Sequence, residues 1–542
     1  MHSHRDGGNE CKGIQMTKQL TPVNLIIVIS IFLALFTNLT FFKNTIEIYP
    51  FDLKNILFLL SLVILLICIH VFLFSLICYQ RTIKPFLILI VLSAANAAYF
   101  MDSYKVIIDH AMIDNIINTD IKEIIDLLSI KQLLYFVILG LFPAFLIYKT
   151  PLINLNFKQA LFSRIKLMSL ALIIALVLIL IFSRFYASFF REHRSLRLYS
   201  NPTYYLYSTG KYINHFFKGV DKPFEKIALD AKITPSNNKP KLIIFVVGET
   251  ARADHFALNG YTRNTNPYLA KEKVLSFNHV WSCGTSTAYS VPCLFSIYNR
   301  DNYSKAKAKS TENILDILQR VGVNVLWLDN NSDSKGVATR ISYKNYRTAK
   351  NNPNCHNECR DMGMLKNLQP YIKQHSNSDI FIILHQMGNH GPAYYKRYPA
   401  EFERFTPVCK TNQLEQCDQQ SIINAYDNAL LYTDYFLSQT ITLLKKNNNQ
   451  YQTALFYVSD HGESLGENNF YLHGLPYLFA PDVQKRVPLI MWFGENFNKK
   501  ALNLEKLNQP FSHDYIFHTI LALMEIKTQV YNQELDIFAI NK

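Results

Sequence analysis

The chain has 542 residues, of which 49% are hydrophobic and only 18% are charged. This composition is too apolar for an ordinary soluble enzyme and too polar for a bundle of membrane helices alone, and it excludes a disordered chain, a coiled coil and a small disulfide-rich protein. The formal net charge of +14 fits either a nucleic-acid-binding protein or a protein that works beside an anionic membrane, and the positions of the apolar segments decide between these two.

Five long apolar segments lie in the first third of the chain. Each approaches the ~20 residues that a helix needs to cross ~30 Å of hydrocarbon, although the third and fourth are short. Five buried core helices in so short a stretch would be unusual, so the segments predict a membrane domain. The five spans are predicted at residues 23–42, 56–77, 85–100, 133–148 and 167–185, within a domain of residues 23–186.

Charged residues between the spans predict the orientation of this domain. The loops after the second and fourth spans carry lysine and arginine and no acid, whereas the third loop, at about 101–131, holds six acids against three lysines. Basic loops face the cytoplasm, so the tail of residues 1–22 is cytoplasmic and everything after residue 186 lies outside. The first span lacks a small-residue cleavage site and is expected to remain as an anchor, and Met16 could equally be the first residue of the protein.

The segment 187–240 connects the membrane domain to the rest of the chain. It is rich in tyrosine, phenylalanine and arginine at its start and ends in a polar stretch with two prolines. Amphipathic rings and basic side chains just outside a membrane favour the interface, so we predict interfacial helices followed by a linker. A plain connector is the alternative.

Six of the nine cysteines lie beyond residue 240. An even number of cysteines in an exported domain implies disulfides, although fifteen pairings are possible. A zinc ribbon at Cys355 and Cys359 is the rival interpretation, and it is weakened because no second close pair with similar spacing follows. The short spacing along the chain favours three local pairs, Cys283 with Cys293, Cys355 with Cys359, and Cys409 with Cys417.

Residues 241–542 alternate short apolar runs with helical stretches. This pattern indicates an α/β domain with a mainly parallel sheet packed between helices. In such sheets, ligands bind beyond the carboxyl ends of the strands. The strands are predicted at residues 242–247, 323–328, 380–384, 454–458 and 488–493.

Candidate metal ligands follow two of these strands. Glu249 comes after the first predicted strand, and Asp460 with His461 after the fourth. Two carboxylates and one imidazole form a mixed oxygen and nitrogen set that suits zinc with an open fourth position. Each residue alone has an ordinary explanation, such as a helix cap, but together they favour a metal site.

Small hydroxyl residues cluster between Cys283 and Cys293, ahead of a predicted helix. The free N–H groups at a helix N-terminus can hold a tetrahedral anion. Ordinary N-capping is the alternative for any single hydroxyl in this segment.

Four motifs follow one another along the chain: Gly-Glu-Thr-Ala-Arg (248–252), Cys-Gly-Thr-Ser-Thr-Ala-Tyr-Ser-Val-Pro-Cys (283–293), Asn-His-Gly-Pro (389–392) and Ser-Asp-His-Gly-Glu-Ser (459–464). In this order they resemble those of the phosphoethanolamine transferases of Gram-negative inner membranes, which belong to the alkaline phosphatase and sulfatase superfamily. That family includes lipid A transferases associated with polymyxin resistance. The resemblance covers almost the whole chain, spans included, except the tail before Met16.

The resemblance implies roles for individual residues. Thr287 is the expected nucleophile, and Glu249, Thr287, Asp460 and His461 surround one catalytic zinc ion, with a second zinc during turnover left open. The resemblance also implies a set of substrate-binding residues, which are Asn115, Thr119, Glu123, Ser332, Lys335, His390 and His473.

Three of these residues lie in the third loop. The four-residue spacing of Asn115, Thr119 and Glu123 predicts that they share one face of a helix, whose isoleucines form an apolar band. Without the resemblance, the pattern indicates only an interfacial amphipathic helix.

The expected activity is transfer of phosphoethanolamine from phosphatidylethanolamine to a phosphate of lipid A, through a covalent phosphoethanolamine-threonine. The product would lower the negative charge of the outer membrane and confer resistance to polymyxin and other cationic peptides. We expect a monomeric, multi-pass inner-membrane enzyme with its catalytic domain in the periplasm and no nucleic-acid partner.

Four other functions are compatible with parts of the sequence. A phosphoethanolamine transferase for the core sugars of lipopolysaccharide would share the same site residues. A phosphoglycerol transferase resembling lipoteichoic acid synthase is disfavoured by the exported cysteines and by the Asn115, Thr119 and Glu123 set. A sulfatase would need a Cys-x-Pro-x-Arg or Ser-x-Pro-x-Arg motif, which the nucleophile segment lacks. A membrane-anchored lipopolysaccharide-binding protein with a dead site would not need all four zinc-site residues.

Overall fold

The computed structural model describes residues 19–119, 121–218, 223–234, 239–356, 358–497 and 509–539, without the side chains of residues 118, 121–123 and 215–218. Most of the predicted cytoplasmic tail and part of the predicted linker lie outside these residues. The chain divides into two compact units, Met1–Tyr99 with Lys131–Thr203 and Phe100–Ile130 with Tyr204–Lys542.

Helices dominate the N-terminal part of the chain and alternate with strands in the C-terminal part. The α-helices are α1 (Pro22–Phe36), α2 (Leu39–Ile48), α3 (Ile56–Ile77), α4 (Ile83–Tyr104), α5 (His110–Asn118), α6 (Ile121–Leu127), α7 (Ile130–Tyr135), α8 (Phe142–Lys149), α9 (Phe157–Ile181), α10 (Ser183–Arg191), α11 (Thr203–Lys218), α12 (Thr287–Leu294), α13 (Lys305–Ser310), α14 (Ile314–Arg320), α15 (Leu368–Gln374), α16 (Gln419–Lys446) and α17 (Ile516–Leu523).

Four helical segments among the described residues are long and apolar enough to cross a membrane: Ile56–Ile77, Ile83–Tyr104, Ile130–Lys149 and Phe157–Ile181. The pair α1 and α2, bent by 57°, makes a fifth if it is counted as one span. The prediction of a multi-span helical domain is therefore confirmed.

The bend between α1 and α2 lies inside the first predicted span. Two polar side chains end α1 there, because the Thr37 hydroxyl and the Asn38 amide both donate to the carbonyl of Leu33, at 2.8 and 2.9 Å. Asn38 also exchanges hydrogen bonds with the backbone of Asn201. These buried side-chain bonds replace backbone hydrogen bonds that the helix loses at the bend. The apolar character of the segment gives no sign of this break.

The predicted helix of the third loop is in fact two helices, α5 and α6. The prediction that Asn115, Thr119 and Glu123 share one helix face is therefore wrong. Thr119 has an extended backbone (ψ 131°), and its hydroxyl donates to the carbonyl of Asn115 at 2.7 Å. A threonine that bonds back to the preceding turn satisfies the helix end locally and competes with continuation of the helix. Glu123 belongs to α6, and its side chain is outside the described part of the structure.

The C-terminal α/β unit contains the strands of the structure. They are β1 (Lys232–Ile233), β2 (Lys241–Gly248), β3 (Leu275–Trp281), β4 (Asn324–Asp329), β5 (Ser342–Asn345), β6 (Ile380–His385), β7 (Gln452–Ser459), β8 (Ser464–Leu465), β9 (Tyr471–Leu472), β10 (Arg486–Phe493), β11 (Phe511–Ser512) and β12 (Ile526–Lys527). Eight of them form one sheet with the order β11-β3-β10-β7-β2-β6-β4-β5. Strands β7, β2, β6, β4 and β5 are parallel, whereas β10 is antiparallel to both of its neighbours. The predicted mainly parallel sheet is confirmed.

The sheet has an apolar core on each face. Strands β2, β6 and β7 are buried along their whole length, and successive side chains point to opposite faces. Ile243 and Phe245 therefore join a cluster with residues of α14 and α17, while Leu242 and Ile244 join one with residues of α16. Helices on both faces explain why these strands are continuous apolar runs.

The register of the sheet brings the motif segments to one edge. Gly248 of β2 is paired with Ser459 of β7, Val247 with His385 of β6, and Asp329 of β4 with the same histidine. Because these strands are parallel and end together, the loops that follow them meet at one carboxyl edge.

Candidate active site

Glu249, Asp460 and His461 come together at the carboxyl edge of the sheet. One ligand atom from each lies within 4.8 Å of the others, and all three side chains are buried. Glu249 follows β2, and the other two follow β7, its neighbour in the sheet. The sequence predicts these same three residues as metal ligands.

Hydrogen bonds orient these side chains toward a common point. The ring Nδ1 of His461 lies 2.9 Å from the carbonyl of Gly462, so its Nε2 is left to face the carboxylates. Asp460 Oδ1 accepts from the backbone N–H groups of Thr250 and His461. Its Oδ2 is buried with no hydrogen-bond partner in the part of the chain that the structure describes.

Two buried carboxylates in one site favour a bound cation. Burial and the neighbouring Glu249 carboxylate raise the pKa of Asp460, because ionising both groups without a counter-ion is unfavourable. An orphaned buried carboxylate oxygen is likewise costly unless a cation contacts it. Two carboxylates and one imidazole fit zinc with a position left open.

Thr287 lies against this cluster. Its Oγ1 is 3.1 Å from Glu249 Oε2 and 3.3 Å from His461 Nε2. It is the first residue of α12, so its backbone is at the helix end where N–H groups are unsatisfied and the helix dipole favours negative charge.

The loop before Thr287 is fixed by several contacts. A disulfide joins Cys283 to Cys293, and the other two disulfides also follow the local pairing that the spacing favoured, Cys355 with Cys359 and Cys409 with Cys417. The hydroxyl of Thr285 donates to the carbonyl of Leu475 at 2.7 Å. The segment before Thr287 is therefore tied to the loop that carries His473.

Asn331 is a site residue that the sequence analysis missed. Its amide donates to Glu249 Oε2 at 2.7 Å and to the carbonyl of Gln386 at 2.8 Å, and the side chain is buried. The signal was present, since the polar run Asp-Asn-Asn (329–331) follows directly on an apolar strand. Asn331 holds Glu249 in one orientation.

His513 is a second missed residue, and it lies far along the chain from every motif. One ring nitrogen contacts the carbonyl of Ser459 at 3.0 Å, and the other accepts from the backbone N–H of Cys283 at 3.2 Å. Burial lowers its pKa to about 3, so the ring is neutral and can both donate and accept. His513 therefore joins the loop of Asp460 and His461 to the loop that precedes Thr287.

A cavity of about 160 Å³ opens beside Thr287. Its polar lining includes Thr287, Ser332, Lys335, His390 and His473, which are the predicted nucleophile and four of the seven predicted substrate-binding residues. Asn115 and Thr119 also line it. The apolar wall consists of Phe100, Val106, Ile108, Met112, Ile116, Leu127, Pro392 and Leu472.

Two histidines stand near the metal-ligand cluster. The ring of His473 is 4.2 Å from that of His461 and 5.9 Å from that of His390, measured between centroids. The Nδ1 of His473 is 3.3 Å from a carboxylate oxygen of Glu463, which orients the ring. Two imidazoles that line the same cavity as Thr287 can donate or accept protons there.

Lys335 and Ser332 supply polar groups at the mouth of the cavity. The Lys335 ammonium donates to the carbonyl of Ser332 at 2.9 Å, and Lys335 has a left-handed backbone (φ 50°). A lysine in a sparsely populated conformation is held by its surroundings. Its charge is positioned to offset anionic oxygens in the cavity.

Known proteins match the chain over most of its length. The family model described as phosphoethanolamine transferase EptA/EptB matches residues 66–217, and the sulfatase family model matches residues 241–526. The phosphatidylethanolamine transferase Mcr-2 of Escherichia coli is 43% identical over 94% of this chain and 96% of its own.

Two solved structures are also similar. The integral membrane protein lipooligosaccharide phosphoethanolamine transferase A of Neisseria meningitidis superposes with a TM-score of 0.92 at 33% identity, over 96% of this chain and 99% of its own. The C-terminal periplasmic domain of phosphoethanolamine transferase EptC from Campylobacter jejuni is 44% identical, with a TM-score of 0.52, over 58% of this chain and 97% of its own.

Proposed function

The chain belongs to the phosphoethanolamine transferase family of the alkaline phosphatase superfamily, and from that premise we propose that it transfers phosphoethanolamine from phosphatidylethanolamine to a phosphate of lipid A. The proposed donor, phosphatidylethanolamine, appears in the name of the Mcr-2 relative. The name of the Neisseria enzyme contains lipooligosaccharide, which supports an acceptor of this class. We further propose that Thr287 carries the phosphoethanolamine between the two lipids.

The observation that carries this proposal is the position of the Thr287 hydroxyl, 3.1 Å from Glu249 and 3.3 Å from His461. A threonine hydroxyl is a weak nucleophile unless a neighbouring group accepts its proton or lowers its pKa. A buried hydroxyl aimed into a set of cation ligands, with a cavity on its open side, is arranged for attack on a phosphorus atom.

Glu249, Asp460 and His461 would hold a zinc ion, with Thr287 at the fourth position. When bound, zinc lowers the pKa of a coordinated hydroxyl and offsets charge on phosphoryl oxygens. The protein's own contribution is to keep the three ligands fixed, through Asn331 on Glu249 and the Gly462 carbonyl on His461.

The transfer is a double displacement on one phosphorus atom. Thr287 Oγ1 loses its proton along its hydrogen bond to Glu249 and forms a bond to phosphorus, while the bond from phosphorus to the glycerol oxygen breaks. The departing diacylglycerol oxygen takes a proton from His390 or His473. An oxygen of the acceptor phosphate then forms the second bond and gives its proton to the histidine that had protonated diacylglycerol. The bond from phosphorus to Thr287 breaks, and the Thr287 oxygen takes back the proton held by Glu249.

Negative charge develops on the phosphoryl oxygens in both steps. The N-terminal end of α12 and the Lys335 ammonium lie beside Thr287 and would stabilise this charge. The apolar wall of the cavity suits the acyl-bearing part of the donor. We assign Asn115, Thr119 and Glu123 to the ethanolamine head group, as the family resemblance implies.

The biological consequence follows from charge. Phosphoethanolamine places an amine over a phosphate of lipid A, so cationic peptides such as polymyxin bind the modified membrane less well. We propose an inner-membrane location with the catalytic unit in the periplasm. Two observations support this location. The similar Campylobacter domain is described as periplasmic, and the basic loops between the spans are expected to face the cytoplasm.

Expression of the chain in a Gram-negative strain without transferases of its own tests the proposal. Mass spectrometry of lipid A and, separately, of the core should find phosphoethanolamine on lipid A, and the Thr287→Ala variant should yield none. Thr285→Ala is the matched control, because Thr285 is an equally buried hydroxyl on the same loop that points to Leu475 instead. Modification confined to the core would overturn the acceptor assignment, and product from Thr287→Ala would overturn the nucleophile.

A further inference from the structure

Helix α6 of the third loop is held against the rest of its unit by contacts that the transfer scheme does not use. At the C-terminal end of the helix, the Asn412 amide donates to the carbonyls of Asp126 and Leu128, at 2.5 and 2.9 Å. Asn412 lies in the loop that the disulfide from Cys409 to Cys417 closes. The last carbonyls of α6, which lack partners within the helix, are thereby satisfied, and the helix end has a defined position.

The side chain of Asp126 contacts two basic residues beyond its own loop. One carboxylate oxygen lies 2.6 Å from the Lys396 ammonium, and the other lies 3.0 Å from the Arg397 guanidinium. Burial raises the pKa of Asp126, but the hydrogen bonds and charges of Lys396 and Arg397 outweigh burial, and the pKa is lowered. Asp126 is therefore ionised at neutral pH and forms a charge-assisted bond with Arg397.

Arg397 connects this ion pair to the segment that carries His390. The Arg397 side chain is 4% exposed, and its Nε donates to the carbonyl of His390 at 2.7 Å. Its third nitrogen contacts Glu358 at 3.3 Å. Because the guanidinium is planar, three partners around it fix its position and orientation.

The same segment is anchored on its other side to the proposed metal site. The backbone N–H of Asn389 donates to the carbonyl of Glu249 at 3.1 Å, and its side-chain amide donates to the carbonyl of Tyr426 at 3.1 Å. His390 follows directly and lines the cavity beside Thr287. The position of His390 therefore depends both on the loop of a proposed metal ligand and, through Arg397, on α6.

The loading step, in which Thr287 takes phosphoethanolamine from the donor, gives this position a chemical purpose. Diacylglycerol is a poor leaving group unless its oxygen receives a proton as the bond to phosphorus breaks. A positioned acid contributes about 10²–10⁴-fold to a step of this kind. Such an acid acts only within hydrogen-bond reach of the departing oxygen, so a small displacement of its backbone removes much of the effect.

We propose that Asp126 and Arg397 are positioning residues that hold His390 where it protonates the departing diacylglycerol oxygen, so that docking of α6 sets the acid of the loading step. The inference rests on the proposed function. In this step the Thr287 oxygen bonds to phosphorus and its proton passes to Glu249. The bond from phosphorus to the glycerol oxygen breaks, and that oxygen takes the proton of the His390 ring.

A change of leaving group separates this role from a structural one. Two donors are compared: phosphatidylethanolamine, and an analogue with sulfur in place of the bridging glycerol oxygen. A thiol has a pKa of about 8.5, far below that of an alcohol, so its thiolate leaves without a proton. Purified full-length protein in detergent is mixed with zinc and one donor, without acceptor, and quenched at short times. Mass spectrometry then measures the diacylglycerol, or its thiol, that has been released.

The positioning variants should lose rate with the natural donor only. Arg397→Lys keeps the charge but cannot reach three partners at once, so it should load from phosphatidylethanolamine about tenfold or more slowly. Its rate with the sulfur analogue should stay within about threefold of wild type, because that step needs no acid. Asp126→Asn should show the same selective loss to a smaller extent, and His390→Gln should show the largest.

Asp114→Asn is the matched control. Asp114 lies in the same loop, its side chain is 14% exposed like that of Asp126, and it is also paired with a lysine, Lys305. This pair is on α5 and does not include the arginine that contacts His390. Asp114→Asn should therefore keep the wild-type ratio of the two loading rates, whatever its effect on donor binding.

Four results would overturn the inference. Equal losses with both donors in Arg397→Lys and Asp126→Asn would leave these residues a structural role alone, and wild-type loading by both variants would remove their link to His390. A selective loss in Asp114→Asn would assign the effect to the loop as a whole. A selective loss in His473→Gln but not in His390→Gln would give the acid role to His473. Failure of the wild type to load from either donor is a different result, because it would overturn the proposed function itself.

Discussion

The hydrogen bond from Asn331 to Glu249, which no sequence motif indicates, leads us to predict that metal affinity depends on Asn331. Asn331→Ala removes a 2.7 Å hydrogen bond to a carboxylate oxygen and a 2.8 Å bond to the carbonyl of Gln386, both in a buried site. A hydrogen bond to a charged group contributes about 1.5–3 kcal/mol. Without it Glu249 can rotate away from Asp460 and His461, so the loss appears mainly in metal affinity.

That free energy corresponds to zinc binding that is about 10- to 100-fold weaker, since each 1.4 kcal/mol is a factor of ten. Competition with a fluorescent zinc chelator on the purified full-length protein measures it directly. At saturating zinc, the transfer rate of Asn331→Ala should recover most of the wild-type value, because Thr287 and the residues that line the cavity beside it are unchanged.

Asn313→Ala is the matched control for this experiment. Asn313 is also a buried asparagine whose amide donates to a backbone carbonyl, that of Val337, but it caps α14 and does not touch the metal ligands. Its loss should cost about 1 kcal/mol of stability and leave zinc affinity unchanged. Equal zinc affinity in Asn331→Ala and Asn313→Ala would refute the claim that Asn331 orients Glu249.

Three other predictions concern the same unit. A Cβ at Gly462 would overlap the carbonyl oxygen of Val483, so Gly462→Ala should displace the loop that holds the metal ligands and reduce zinc affinity and transfer together; normal transfer by this variant would show that the loop adapts freely. Asp434 is buried and accepts from the backbone N–H groups of Tyr268 and Leu269, and burial raises its pKa to about 7. The folded state therefore binds the extra proton between about pH 4 and pH 7, and stability falls as the pH rises through that window by up to about 4 kcal/mol. Thermal unfolding of Asp434→Asn should show a weaker decrease over this range, and an unchanged pH profile would exclude the assignment. Prolonged chelation should abolish loading by phosphatidylethanolamine, with recovery on addition of zinc, whereas loading that survives removal of all metal would contradict a metal-assisted nucleophile.

The architecture could be predicted because its signals are local and repeated. Strands β2, β6 and β7 are continuous apolar runs because both faces of the sheet are covered there. The residues after Gly248 and Ser459 lie close together because β2 and β7 are paired in register. Glu249, Asp460 and His461 could therefore be grouped before any coordinates were known. Strand β3 was missed because Ser276, Asn278 and His279 interrupt its apolar pattern.

The features that could not be predicted depend on side-chain bonds over long separations or on local competition. His513 contacts the site through Ser459 and Cys283. Nothing in the spacing of residues along the chain indicates these contacts. In the third loop the isoleucine pattern favours one helix, but the hydroxyl of Thr119 closes the preceding turn on Asn115 and α5 ends there. The spacing of apolar residues indicates which face of a helix is apolar, but it does not indicate where a polar side chain ends the helix.

The central claim is that Thr287 carries phosphoethanolamine between two lipids, and one measurement tests it most directly. The purified protein is mixed with zinc and phosphatidylethanolamine without acceptor, quenched and digested, and the peptide around Thr287 is analysed by tandem mass spectrometry. We predict that phosphoethanolamine is attached to Thr287 and disappears when lipid A is added before the quench. Steady transfer to lipid A with an unmodified Thr287 at every time point would contradict the account.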